Sequence, residues 1–386
     1  MTASRLQVRL NRLSLALGLG LLIGIGVYWA TGKSAGSALF RGDFPAFYAA
    51  AEIVWTGRGT ELYNFDLQGN IENRHWPDFA GSFYIFAYPP FFALLLAPLA
   101  AFPPLVAKGL AMSLMLLAFL GALLLYRQSS PFLRHHFYFS LFYGLSFAPL
   151  LMAIVGVQNT ALTLLIFAFY DWARGRDHPA LAGLVASMLL FKPQFGGLLF
   201  VYLLARGRRS ELYGWAIGAL LLYLLGAGVL GFSWPLIWLE AATRFGDLNF
   251  TINDHNMISL AGLSYWAFEF FWGDGHVGLP YGYTLALGLL LLAFWSMKLD
   301  KEGFDLAPPL ILLLSPQTLF YDVSIALYAW IKGLRAESLS DLKVLMVIWV
   351  YALGGMAIRD RVSFPLFSLL LLLILWLQLQ QIRESR

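Results

Sequence analysis

Only 12% of the 386 residues are charged, so polar side chains that interrupt apolar runs stand out as candidates for chemistry. Ionisable groups at membrane depth are costly, and those that persist there mark functional sites by default. The candidates are Asp43 in Gly-Asp-Phe-Pro, Gln158-Asn159, Lys192 and Gln194 in Phe-Lys-Pro-Gln-Phe, Asn253-Asp254-His255-Asn256, Gln317, Tyr321-Asp322 and Arg359. A carboxylate such as Asp43 can accept a proton from an attacking hydroxyl. An isolated cation such as Lys192 suits an anionic lipid headgroup. Plainer readings stand beside these. Asp43 and Asp322 occupy places where helix caps occur. Lys192 can snorkel from a helix end, residues 253–256 can form an ordinary turn, and Arg359 can pair with Asp360.

Several chemistries are excluded. The chain has no cysteine, hence no disulfide, thiolate or cysteine-based metal site. It has no His-Glu-x-x-His pair, dinucleotide glycine loop or Walker loop. No metal and no cofactor is expected. The net charge of +4 reflects where loops lie rather than nucleic-acid binding.

The elements that must position these residues are membrane helices. Apolar residues make up 59% of the chain, more than a soluble core absorbs, and they recur in uninterrupted runs. The pattern predicts an all-α polytopic membrane protein, one domain over residues 1–386, with about twelve transmembrane helices. These fall near 13–30, 104–126, 137–155, 158–173, 179–192, 195–206, 213–232, 280–298, 305–315, 322–333, 343–358 and 364–382. The first run reads as a retained helix, not a cleaved signal. Several are shorter than the ~20 residues of a full crossing and meet in pairs at polar breaks, as broken helices do around an enclosed wet cavity. Residues 87–102 are too short to span and contain three prolines, so they read as an interfacial helix. With that assignment, 17 of the 26 basic residues fall on one side, which the positive-inside rule makes cytoplasmic. Both termini are then cytoplasmic. Residues 31–103, carrying interfacial helices, and 233–279 form two large outer segments. The stretch from Asp43 to Gly57 reads as a helix lying along the membrane, ended by Gly57, and Ser264–Trp272 as an aromatic belt. All the candidate residues then fall on the outer side, from at least six places in the sequence.

Residues 43–51 (DFPAFYAAA), 61–66 (ELYNFD), 88–103 (YPPFFALLLAPLAAFP), 155–166 (VGVQNTALTLLI), 181–209 (LAGLVASMLLFKPQFGGLLFVYLLARGRR) and 312–327 (LLLSPQTLFYDVSIAL) occur in order and together resemble glycosyltransferase family 87, of the C-type glycosyltransferase superfamily. The resemblance implies a hexosyl donor, specifically mannosyl, carried on a polyprenyl phosphate. It implies an acidic residue in the first outer loop, which falls on Asp43, and a Lys-Pro block, which falls on Lys192-Pro193.

On that footing Asp43 is expected to act as base, and Lys192 to hold the donor phosphate with Gln194 and Arg359. Asn159, Asp254, His255, Asp322 and Tyr88 are candidates for sugar or acceptor hydroxyls. Transfer is expected to invert the anomeric centre, to need no metal, and to occur at the outer face of the plasma membrane. Partners are membrane lipid, the polyprenyl-phospho-sugar and a lipid or glycan acceptor, with no nucleic acid. The rival is a lipid or polyol transporter or flippase. That rival also gathers polar groups at broken helices, but it favours paired repeats and a midplane site.

Overall fold

The computed structural model describes residues 3–30, 42–77, 84–299, 307–336 and 338–384. Among these the fold is all helix, with no strand beyond one bridge that pairs Met257 with Leu319. Arg41 lies outside the described residues.

Helix α1 (Ala3–Ala30) is followed by a region of short helices: α2 (Phe44–Trp55), α3 (Phe65–His75) and α4 (Pro90–Leu96), the last continued by a 3-10 turn over Ala97–Ala101. Helix α2 does end at Gly57, whose φ of +75° closes the turn, with Arg58 N–H donating to Ile53 O at 2.9 Å. It does not lie with one face on a bilayer surface, because residues 44–51 are all buried, packed against α3, α4 and the 3-10 turn. Pro90–Ala101 reaches only about 18 Å at 1.5 Å per residue, so it is too short to span.

The chain continues through α5 (Pro104–Ser129), α6 (Pro131–His135), α7 (Phe137–Ser146), α8 (Ala148–Val155), α9 (Thr160–Gly175), α10 (Pro179–Ser187), α11 (Pro193–Arg206) and α12 (Arg209–Leu230). The apolar run 137–155 reads as one span, but it bends by 70° between α7 and α8, where Pro149 sits in the first turn of α8. A proline is favoured there because a first-turn N–H has no helical partner to lose. Residues 233–279 are largely α13 (Trp234–Asn253) and α14 (Leu260–Trp272). After these come α15 (Gly275–Leu299), α16 (Ala307–Leu314), α17 (Val323–Lys332), α18 (Leu339–Ile358) and α19 (Leu366–Glu384).

Among the described residues, five helices are long and apolar enough to cross a membrane: α5, α12, α15, α18 and α19, or six if the bent α7–α8 pair is one crossing. The expected crossing 13–30 falls on the 28-residue α1, and the remaining ones fall on shorter helices. The two groups differ in environment. The long helices expose large apolar side chains, such as Leu105 and Leu117 on α5, Leu220 on α12, Leu291 on α15 and Val350 on α18. That is the surface a lipid tail solvates. The short helices lie inside. In α17 every residue from Val323 to Ile331 is buried, as expected of a helix surrounded by others. Long helices thus enclose short ones, and the ends of the short ones meet inside protein.

Glycine permits one of the tightest contacts. Gly183 of α10 faces Glu211 O of α12, and Gly214 faces Ala180 O, each so closely that a Cβ would overlap the carbonyl. Gly183 and Ser187 on one helix meet Gly214 and Gly218 on the other, the small-residue spacing that lets membrane helices approach backbone to backbone. Gly214→Ala should therefore destabilise the protein by about 1–3 kcal/mol through overpacking, read as a lowered thermal unfolding midpoint in detergent. An unchanged midpoint would mean α10 and α12 are not in this contact.

Candidate active site

Four helices begin at one place. The residues before α2, α9, α11 and α17 are Asp43, Asn159, Lys192 and Asp322. Each occupies the capping position, yet none of the four side chains makes the capping hydrogen bond. The caps anticipated for Asp43 and Asp322 are therefore positions without capping function, and the side chains are available for other partners. Proline follows closely in α2 and α11, so each of those helices has one first-turn N–H fewer to satisfy. Helix N-termini carry partial positive charge, and several aimed at one site favour an anion there.

Asp43 is placed by backbone packing. Its N–H donates to Gly156 O at 3.1 Å. Gly42 has φ +50°, and a Cβ on it would overlap Gly156 O, so this approach requires glycine. Gly156 in turn closes α8. Val157 N–H donates to Ile154 O at 3.2 Å and Gln158 N–H to Ala153 O at 2.7 Å, the paired bonds of a Schellman ending. The left-handed position of that motif is held by Val157, with φ +56°. A β-branched residue there is strained, at a cost on the order of 1–2 kcal/mol. The turn delivers Gln158, whose side chain lies beside the Asp43 carboxylate. Burial pushes the Asp43 carboxyl above its ordinary value of 3.8. The Gln158 amide and the Lys192 charge oppose that rise, and the Asp322 charge adds to it.

Lys192 and Asp322 form the buried ion pair of the site. Lys192 Nζ donates to both Asp322 oxygens at 3.1 Å, with the two side chains only 8% and 3% exposed. Thr160, the first residue of α9, donates its hydroxyl to Asp322 Oδ1 at 2.6 Å. Lys192 Nζ also lies 4.9 Å from the centre of the Phe195 ring, within cation–π range. The snorkelling alternative for Lys192 is thereby replaced by a fixed charge pair. Asp322, expected at a sugar or acceptor hydroxyl, has both oxygens engaged by Lys192 and Thr160.

These groups line one cavity of about 730 Å³, whose wall includes Asp43, Tyr88, Gln158, Lys192, Gln194, Asn249, Asn253, Asn256, Gln317, Tyr321, Asp322 and Arg359. The Arg359 guanidinium lies 4.4 Å from the centre of the Phe320 ring. The side chain of Asp360 lies outside the described residues. Tyr88 belongs to an extended segment held from three sides. Phe86 N–H donates to Gln68 Oε1 at 2.9 Å, Trp238 Nε1 donates to Ala87 O at 2.9 Å, and Tyr63 Oη donates to Tyr88 O at 2.7 Å.

Not every expected residue reaches the wall. Asn159 is buried close to the Tyr88 hydroxyl but outside good hydrogen-bond geometry, and neither of its amide atoms has a partner. Asp254 and His255 stand beside the cavity and pair with each other, His255 Nδ1 and Asp254 Oδ1 being 3.1 Å apart. Among the wall residues that escape the sequence reading are Asn249 and Trp238 of α13. The four-residue spacing of Asn249 and Asn253 was a signal for the first.

Several helix starts, two carboxylates and two basic side chains thus surround one cavity. The family model of glycosyltransferase family 87 matches residues 86–316, more than half of the chain, and the chain belongs to that family. No curated protein and no solved structure matches it. The matched region contains Tyr88, Asn159, Lys192, Gln194, Asp254 and His255. Asp43, Asp322 and Arg359 lie beyond it and stand on geometry alone.

The ion pair generates a test. Removing one partner of a buried pair strands the other charge, at about 3–5 kcal/mol. Lys192→Ala should therefore lower the unfolding midpoint markedly, and Lys192→Ala/Asp322→Ala should recover part of the loss. A double variant whose loss equals the sum of the single losses would show that the two residues do not interact.

Proposed function

We propose that this glycosyltransferase moves a hexosyl, specifically mannosyl, group from a polyprenyl-phosphate-linked donor to a lipid or glycan acceptor, with inversion and without a metal. The observation that carries the reading is the shared cavity of Asp43 and the Lys192–Asp322 pair. The donor phosphate sits against the helix starts, with Lys192, Gln194 and Arg359 as its ligands. Asp43 accepts the proton as the acceptor oxygen attacks C1 from the face opposite the phosphate. The C1–O bond to phosphate breaks, and its electron pair leaves on polyprenyl phosphate, where the cations stabilise the charge. The cavity holds both reactants in line. Asp322, with Thr160, acts as a positioning residue that fixes Lys192 Nζ.

In the same reading the short inner helices are broken crossings, twelve in all, with both termini cytoplasmic and the cavity opening at the outer face of the plasma membrane. The support for this side assignment is the bias of arginine and lysine to the opposite loops.

Purified protein in lipid nanodiscs, incubated with radiolabelled polyprenyl-phospho-hexoses and a lipid extract, should form a labelled glycoside. Label that only crosses a vesicle bilayer would instead establish the transporter. Asp43→Asn should keep the fold and lower the transfer rate by about 10²–10⁴-fold; full activity would remove Asp43 as base. The pH profile supplies a second check. A base must be ionised, and the Asp43 carboxyl is raised above 3.8. Activity should thus fall as pH drops through that raised value, and the limb should be absent from any residual Asp43→Asn rate. An identical limb in the variant would assign it to another group.

A further inference from the structure

Asp43, Lys192, Asp322 and Arg359 are the charged residues of the cavity wall, whereas the part contributed by α13 is neutral and includes amides. Asn249 Nδ2 donates to Gln317 Oε1 at 3.3 Å, Asn253 Nδ2 to Asn249 Oδ1 at 2.7 Å, and Asn256 Nδ2 to Asn253 Oδ1 at 3.4 Å. Gln317 Nε2 donates to Gly246 O at 3.2 Å, which anchors the far end of the row. All four amides line the cavity. Asn249 and Asn256 are only 7% and 9% exposed, and Asn256 Oδ1 has no partner among the described residues.

A primary amide has two N–H donors and two acceptor lone pairs. In this row each neighbour uses only part of that capacity, so a line of donors and acceptors remains beside the cavity. A phosphate accepts only and favours cations. A sugar hydroxyl donates and accepts at once, and the hydroxyls of a pyranose ring present several such groups in a row. Trp238 lies on the same helix and the same wall, its indole fixed by the bond to Ala87 O.

We infer that Asn249, Asn253, Asn256 and Gln317 form a hexopyranose subsite, which binds a neutral polyhydroxyl ring in the same cavity as the ion pair. The inference rests on the glycosyl-transfer reading and adds that one reactant ring is held by amides, not by Asp254 or His255. The ring belongs either to the donor or to a carbohydrate acceptor.

The test is equilibrium binding without turnover. Full-length protein in nanodiscs is titrated with methyl α-manno-, gluco- and galactopyranosides and followed by saturation-transfer NMR. At least one epimer should bind saturably. Asn253→Ala and Gln317→Ala should each weaken it at least tenfold at an unchanged unfolding midpoint, and Arg58→Ala, exposed and outside this cavity, should leave it within twofold. If an alanine variant unfolds, Asn253→Gln, which keeps the amide and displaces it by one methylene, serves in its place with the same expected loss. Saturating polyprenyl-phospho-hexose distinguishes the sources: competition assigns the subsite to the donor ring, and undiminished binding assigns it to the acceptor. No saturable binding of any epimer, or binding that ignores the amide substitutions, overturns the subsite. Asp43-dependent transfer measured in the same preparations would leave the transferase reading intact in that event.

Discussion

A lysine ammonium removed from water must find an anion, and in this chain the requirement is met across 130 residues of sequence. Lys192 stands where α11 begins and Asp322 where α17 begins. Their pairing brings two half-helices end to end, and Thr160 brings the start of a third. Such a pair contributes little net stability, because the desolvation of two ions offsets much of their attraction. Its consequence is geometric. With both partners buried and doubly hydrogen-bonded, the helix starts cannot drift apart without stranding a charge.

That constraint accounts for the arrangement of long and short helices. A helix that begins at a polar break cannot end in lipid, since its first N–H groups would lack partners there. The half-helices must therefore be enclosed, and α5, α12, α15, α18 and α19 do the enclosing with exposed leucine and valine surfaces. Short helices inside and long ones outside follow from where backbone polar groups can be satisfied. The cavity sits where the ends of the short helices meet.

Much of this was legible in the sequence because breaks announce themselves. Lys-Pro at 192–193, Gln-Asn at 158–159 and Asp-Phe-Pro at 43–45 each interrupt apolar runs, and the helices begin there within a residue or two. The expected span 343–358 is α18 (Leu339–Ile358), and the family resemblance drawn on residues 40–330 agrees with the matched region 86–316. Helix α13 was not legible as part of the site. Glu240, Arg244 and Asp247 punctuate it, so hydropathy assigns it to a loop. Its cavity-facing side is amide and aromatic, a pattern that neither lipid nor an apolar core would impose. The bend between α7 and α8 hid in an apolar run where only Pro149 marked it. The Lys192–Asp322 pairing had no local signal at all, since neither residue's neighbours encode the other.

Two carboxylates at equivalent positions before helices meet different surroundings. Asp322 has both oxygens taken by Lys192 and one also by Thr160. Asp43 lies beside the amide of Gln158, feels Lys192 at greater remove, and its carboxyl is raised above its ordinary value by its enclosure. The difference depends on backbone as much as on charge. The contact of Gly42 with Gly156 O brings Asp43 to this turn, and the strained conformation at Val157 turns Gln158 toward it. Strain of that kind persists only where surrounding structure over-determines it. Here it is held by a helix ending whose two hydrogen bonds are both made.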